Sequence, residues 1–277
     1  MSPNKKRRAV KTAVAIVIII ALCLAAVLYR GAGQSLTVLM YHHIAPVGEL
    51  YTSETVSIGK MRQDLKWLSE NGWKTVLPGE LLSGEVRIDD KTVLITFDDG
   101  YRSNYEYLYP LLKEYGMKAE IAVITSFIDA EAESFMSWEM MREMADSGIV
   151  EFGSHTHNMH NPDTAGLFVE GGANGVQIGK GESAEDHAAK VREDLETSKG
   201  RLLEELGKEP VCFAYPFGAH DRVTDRVVDS LFPVSLLTSG RSFLGGFRGF
   251  LDNSNGLRRL RRINVLEMTP LSEVLGE

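Results

Sequence analysis

The chain has 277 residues, of which 44% are apolar and 8% aromatic, an ordinary globular composition that allows a sizeable core. Six of its 30 basic residues and none of its 38 acidic ones fall in residues 1–34, so residues 35–277 carry a formal net charge of −14. A folded part this acidic is unsuited to nucleic acid or any other polyanion as a partner.

The chain begins MSPNKKRRAVKTAVAIVIIIALCLAAVLYRGAGQS, with Lys5, Lys6, Arg7, Arg8 and Lys11 ahead of an uncharged apolar run over residues 13–29. Such a run predicts a single transmembrane helix at the short end of the usual length, about 20 residues. The basic cluster stays cytoplasmic by the positive-inside rule, which places everything after Arg30 outside the cell membrane. Cleavage as a signal peptide is the alternative and gives a secreted protein, although the run exceeds the usual signal core of about 7–15 residues. Residues 1–35 are therefore expected to be tail, anchor and linker, and 36–277 one domain. That domain has a single cysteine, Cys212, which excludes an intradomain disulfide and a thiolate metal site. Any metal falls to His, Asp or Glu.

From residue 36 short apolar runs alternate with helical patterns. Strands are predicted at LTVLM (36–40), TVLITF (92–97), AEIAVI (119–124), VEFGS (150–154), VCFAY (211–215) and PVSLLT (233–238). Helices are predicted over 58–71, 102–115, 138–147, 185–206 and 222–231, with Ser57 as the N-cap of the first. Gly72, Gly116, Gly148 and Gly207 stand where helices stop. Apolar strands separated by helices indicate an α/β fold with a parallel sheet, either barrel or doubly wound, whose chemistry collects at the carboxyl ends of strands. The glycine-rich stretch over 163–186 matches neither pattern and is expected to be a functional surface excursion.

Polar residues do follow the strands. TVLITF runs into Asp98, Asp99 and Gly100, and VEFGS into His155, Thr156, His157, Asn158, Met159 and His160. VCFAY runs into Pro216, Phe217 and Gly218, and LTVLM into Tyr41, His42 and His43. Adjacent carboxylates repel, so one of Asp98 and Asp99 calls for a cation or a proton; an Asp-Gly pair also favours a plain turn. If a divalent metal is present, one Asp ligates it and the other takes a proton as general base. One carboxylate with two of the three histidines makes a donor set suited to Zn²⁺.

The ordered trio TFDDGY (96–101), SHTHNMH (154–160) and FAYPFG (213–218) resembles the polysaccharide deacetylases of carbohydrate esterase family 4, over roughly residue 36 to the end. The resemblance implies a distorted (β/α) barrel of the NodB type. It also implies Asp98 as general base, Asp99 as metal ligand, and two histidines completing the triad. In the common pattern the second histidine stands four residues on, which here is Met159; the wider spacing to His160 is similar to the branch acting on poly-β-1,6-N-acetylglucosamine. His155 and His160 are thus the implied ligands, for Zn²⁺ or alternatively Co²⁺ or Ni²⁺, and His157 is left out. The backbone amide of Phe217 is the implied oxyanion donor, and Tyr101, Tyr215 and Pro216 are implied to contact substrate. The Arg that braces the base in the family is Ala214 here, with Arg261 or Arg262 as a spatial substitute. An early YH motif in that branch carries the general acid, which makes His42 the acid and His43 a neighbour.

The implied activity is metal-dependent hydrolysis of N-acetyl groups from an N-acetylhexosamine polysaccharide. Alternatives are peptidoglycan or chitooligosaccharide N-deacetylation, and a non-catalytic carbohydrate-binding relative of the same fold.

Overall fold

Seven parallel strands form a closed ring in the computed structural model, which describes residues 36–49, 52–160, 175–238 and 256–275. The first is β1 (Thr37–Tyr41), followed by the short β2 (Ile44–Ala45) and β3 (Val56–Ser57), which pair only with each other. Ser57 caps α1 (Ile58–Glu70) by accepting the Lys60 amide, as its position predicts. After β4 (Lys74–Thr75) and α2 (Pro78–Ser83) come β5 (Thr92–Phe97), α3 (Tyr109–Tyr115), β6 (Ala119–Val123), α4 (Thr125–Asp129) and α5 (Trp138–Asp146). The second half runs β7 (Val150–Ser154), α6 (Ala184–Leu206), β8 (Cys212–Ala214), α7 (Arg222–Leu231), β9 (Val234–Thr238), β10 (Leu260–Asn264) and α8 (Leu271–Leu275).

The ring order is β1-β10-β9-β8-β7-β6-β5, and it closes because β5 pairs with β1 over five residues. Every named pairing is parallel, which the intervening helices make possible. β4 fills the space beside the first residues of β5, where β6 has not yet begun.

Alternation along the strands sorts two cores. Val38, Leu94, Ala122, Ala214, Leu236 and Leu260 fill the barrel interior, while Leu39, Ile95, Phe97, Ile121 and Phe152 face outward onto α1, α3 and α5. Phe213, Tyr215, Val191, Leu195 and Val228 form a third cluster under α6 and α7.

The six predicted strands and five predicted helices are all present within a residue or two, except that 102–115 is not one uninterrupted α-helix. A π-turn occupies Asn104–Leu108, just ahead of Pro110. Proline has no N–H to donate and its ring crowds the carbonyl four residues back, and a wider turn relieves both problems. β10 was not predicted, because Arg261 and Arg262 interrupt its apolar pattern.

Among the described residues no helix is long and apolar enough to cross a membrane. The predicted anchor over 13–29 and the boundary after residue 35 lie outside the described residues, as does much of the 163–186 stretch.

Candidate active site

The strand ends converge on one rim of the barrel. Asp98 follows β5, His155 follows β7, His42 follows β1, and the Tyr215–Gly218 segment follows β8. Three of the five non-glycine residues with left-handed backbone among those described lie here: Asp99 (φ 74°), Thr156 (φ 81°) and Phe217 (φ 58°). Such strain persists only where surroundings hold it, and it gathers at functional sites. Gly218 (φ 66°) makes the turn after Phe217 possible, since a Cβ there would lie 1.9 Å from Thr238 Oγ1.

Asp98 is buried inside the barrel at 2% exposure. Arg262, from β10 and wholly buried, grips it through two parallel bonds of 2.6 Å, Nη1 to Oδ1 and Nη2 to Oδ2. The guanidinium is itself anchored on the Leu237 carbonyl at 3.1 Å and the Thr96 hydroxyl at 3.2 Å. Burial alone raises the pKa of Asp98, but the charge and hydrogen bonds of Arg262 outweigh it and hold the carboxyl well below the usual carboxylate range. Arg262, and not the exposed Arg261, therefore supplies the guanidinium absent at Ala214.

Asp99 turns the other way. Its Oδ1 lies 3.5 Å from His155 Nε2 and 3.4 Å from His160 Nε2, and one ligand atom from each of the three falls within 4.8 Å of the others. That Oδ1 is buried and accepts no hydrogen bond. His155 donates from Nδ1 to the Ala214 carbonyl at 2.8 Å, which fixes the tautomer and leaves Nε2 with a free lone pair. Burial lowers the pKa of His160 to about 4, so this imidazole is neutral at pH 7, the form that ligates. An orphaned carboxylate oxygen between two imidazole nitrogens fits a divalent metal of the Zn²⁺ type.

His157 turns away from the triad, with Nδ1 3.0 Å from Thr125 Oγ1. His42 approaches Asp98, its Nε2 lying 4.0 Å from Oδ2, while Nδ1 lies 4.0 Å from Glu54 Oε2. His43 packs edge-on against Tyr101 at 5.0 Å, and burial lowers its pKa. Burial first, then the neighbouring Asp99 carboxylate, raises the pKa of the Tyr101 hydroxyl. Phe217 is 46% exposed, and its ring lies against His160 with 4.6 Å between centroids.

Two expected substrate contacts need correction. Tyr215 is fully buried and its hydroxyl donates to Asp225 on α7 at 3.0 Å; Pro216 is buried as well. The strand places Tyr215 on its outer side, under α7, so this segment offers its backbone and Phe217 to the rim. Sequence reasoning missed Glu54 beside His42 and Glu120, a fully buried carboxyl on β6 inside the barrel. Glu120 had a visible signal, as a lone charge in the otherwise apolar AEIAVI. Glu54 had none.

A family model described as polysaccharide deacetylase matches residues 85–231, more than half of the chain. YxkH of Bacillus subtilis (strain 168), which bears a polysaccharide deacetylase name, is 40% identical over 124 residues, 44% of this chain and 42% of that one. The poly-β-1,6-N-acetyl-D-glucosamine N-deacetylase of Escherichia coli (strain K12) is 27% identical over 186 residues, 59% of this chain and 28% of that one. The chain thus spans less than two thirds of the length of these curated relatives. Among solved structures, the fold is similar to the de-N-acetylase from Aggregatibacter actinomycetemcomitans, with a TM-score of 0.70 at 23% identity over 86% of this chain and 97% of that one. It is also similar to IcaB from Ammonifex degensii, with a TM-score of 0.67 at 27% identity over 87% and 94%.

Proposed function

Because the chain belongs to the polysaccharide deacetylase family, we propose that this rim hydrolyses N-acetyl groups of a poly-β-1,6-N-acetylglucosamine-type polysaccharide and releases acetate. The observation that carries the reading is the meeting of the Asp99, His155 and His160 triad with the Asp98–Arg262 pair and His42 on one rim.

Asp99, His155 and His160 would hold a divalent metal, Zn²⁺ by donor type with Co²⁺ or Ni²⁺ as alternatives, which when bound would polarise the acetyl carbonyl and acidify water. Asp98, ionised at neutral pH and fixed by Arg262, takes the proton of the attacking water. The Phe217 amide shares the charge that develops on the carbonyl oxygen. His42 gives a proton to the sugar nitrogen as the C–N bond breaks, so acetate and an ammonium-bearing sugar leave. The non-catalytic alternative rested on the missing Arg at Ala214, and Arg262 removes that ground.

The basic cluster and apolar run of residues 1–34 place this chemistry outside the cell membrane in our reading, where such a polymer lies. Protease digestion of intact cells tests the placement, and a chain cut only after lysis would sink it.

The activity is tested by acetate release from defined β-1,6- and β-1,4-linked N-acetylhexosamine oligomers and peptidoglycan fragments. Release from the β-1,6 series is expected, abolished by chelator and restored by Zn²⁺ or Co²⁺. Release only from β-1,4 or peptidoglycan substrates overturns the substrate, and no release from any overturns the activity.

A further inference from the structure

We propose that Asp194 is a positioning residue for the metal-ligand loop: reaching from α6, its carboxylate shapes the turn between His155 and His160 so that both imidazoles meet Asp99. The inference rests on the reading of Asp99, His155 and His160 as a metal centre.

Ligands four apart on a helix share a face automatically, whereas ligands five apart in a loop converge only if something shapes the loop. Here β7 ends at Ser154 and the chain reverses through Thr156, held at φ 81°. Asp194 then satisfies two consecutive amides, with Oδ1 accepting from His157 at 2.8 Å and Oδ2 from Asn158 at 2.7 Å. One turn further along α6, Ser198 is bonded to Ser154 Oγ at 2.8 Å, and that oxygen accepts the Thr156 amide at 3.2 Å. The Thr156 hydroxyl accepts the Met159 amide at 3.2 Å. On the far side the His157 ring meets Thr125 Oγ1, and its carbonyl accepts the Ser126 amide at 3.1 Å. The loop is therefore clamped between α6 and α4 up to the residue before His160.

Asp194, itself half-buried, shares its helix face with the buried Val191, Leu195, Ser198 and Leu202. Burial raises its pKa, and only the amides of Asn158 and His157 and the nearby His157 ring oppose that. A site needing only packing between α6 and β7 is served better by an apolar side chain, since burying a charge costs free energy unless it is hydrogen-bonded. What the carboxylate adds is a pair of charge-assisted bonds to a bent backbone. Groups that orient a ligand in this way typically govern about 10–100-fold in metal affinity.

The test is Co²⁺ titration of the full chain, followed by visible absorption, beside thermal unfolding of the metal-free protein. Asp194→Ala is expected to weaken Co²⁺ binding about 10–100-fold and to alter the Co²⁺ spectrum. Asp194→Asn, which keeps the shape and one acceptor oxygen, should fall between that variant and wild type. Glu193→Ala, on the exposed side of the same helix, should match wild type. If the alanine variant does not fold, the asparagine variant carries the test, with amide exchange at His157 and Asn158 expected to quicken. Wild-type Co²⁺ affinity and spectrum in a folded Asp194 variant overturn the inference. Absence of Co²⁺ binding by wild type overturns the metal reading itself, and this inference with it.

Discussion

Asp98 and Asp99 are neighbours in sequence, yet one points into the barrel onto a guanidinium and the other out onto two imidazoles. Two carboxylates this close repel unless each has a cation, and the fold provides Arg262 for the first and, for the second, two histidines that could hold a metal beside it. Arg262→Ala would leave Asp98 as an uncompensated buried charge, a change that typically costs about 3–5 kcal/mol. The expected result is a matching loss in urea unfolding together with lost turnover. Adding Asp98→Asn should recover part of that stability because no charge is then stranded; a double variant no more stable than the single one would assign the loss to packing instead. The histidines divide similarly, since His160 faces Asp99 whereas His157 faces Thr125. His160→Ala should abolish detectable Zn²⁺ binding, whereas His157→Ala should weaken it about tenfold or less. A His157→Ala chain without metal beside a His160→Ala chain that keeps it would reverse the ligand choice. At His42, the proposed acid, substitution by Ala should cost about 10²–10⁴ in turnover, and His43→Ala far less.

At the scale of elements, β7 shows how the barrel makes room for its polar groups. Gly153 faces inward, where a Cβ would meet Glu120 Oε1 at 2.2 Å and the Cys212 carbonyl at 2.8 Å. Gly153→Ala forces these strands apart, and overpacking of this kind costs about 1–3 kcal/mol. A lowered urea midpoint is the expected measurement; an unchanged one would mean that β7 and β8 separate freely. The same strand shows what is legible in sequence. Asp98, Asp99, His155 and His42 could be picked out because each stands within two residues of an apolar strand run, and parallel barrels place chemistry there, whereas the choice of His160 over His157 came only from the family resemblance. Arg262 was visible only as one of two adjacent arginines, since which side faces inward depends on a strand whose apolar alternation those charges conceal. Asp194 reads as an ordinary solvated helix charge until the buried face of α6 is known. Tyr215 misled because a motif fixes an order of residues and leaves open which side chain faces the rim.

Across the whole molecule, the barrel encloses two carboxyls shifted in opposite directions, and together they shape how stability responds to pH. Asp98 is held well below its unfolded value of about 3.9, mainly because Arg262 outweighs its burial. Below that value the unfolded chain binds the extra proton, so this contribution is present above about pH 4 and is lost as pH falls towards the folded pKa. Glu120 behaves oppositely, because burial and then the Asp98 charge raise it well above its unfolded value of about 4.3, with Arg262 opposing only in part. The folded state keeps the Glu120 proton after the unfolded chain has released it. Its contribution is therefore full below about pH 4.3 and declines as pH rises towards the folded pKa, by at most about 1.4 kcal/mol per pH unit. Glu120→Gln keeps a neutral side chain of the same shape and removes that decline. Urea unfolding of the metal-free protein at pH 5, 6, 7 and 8 should show the variant gaining on wild type as pH rises, until the folded pKa of Glu120 is passed. A constant difference across the series would mean that Glu120 is ionised in the folded barrel, and that the pairing inside it is Arg262 shared between two carboxylates.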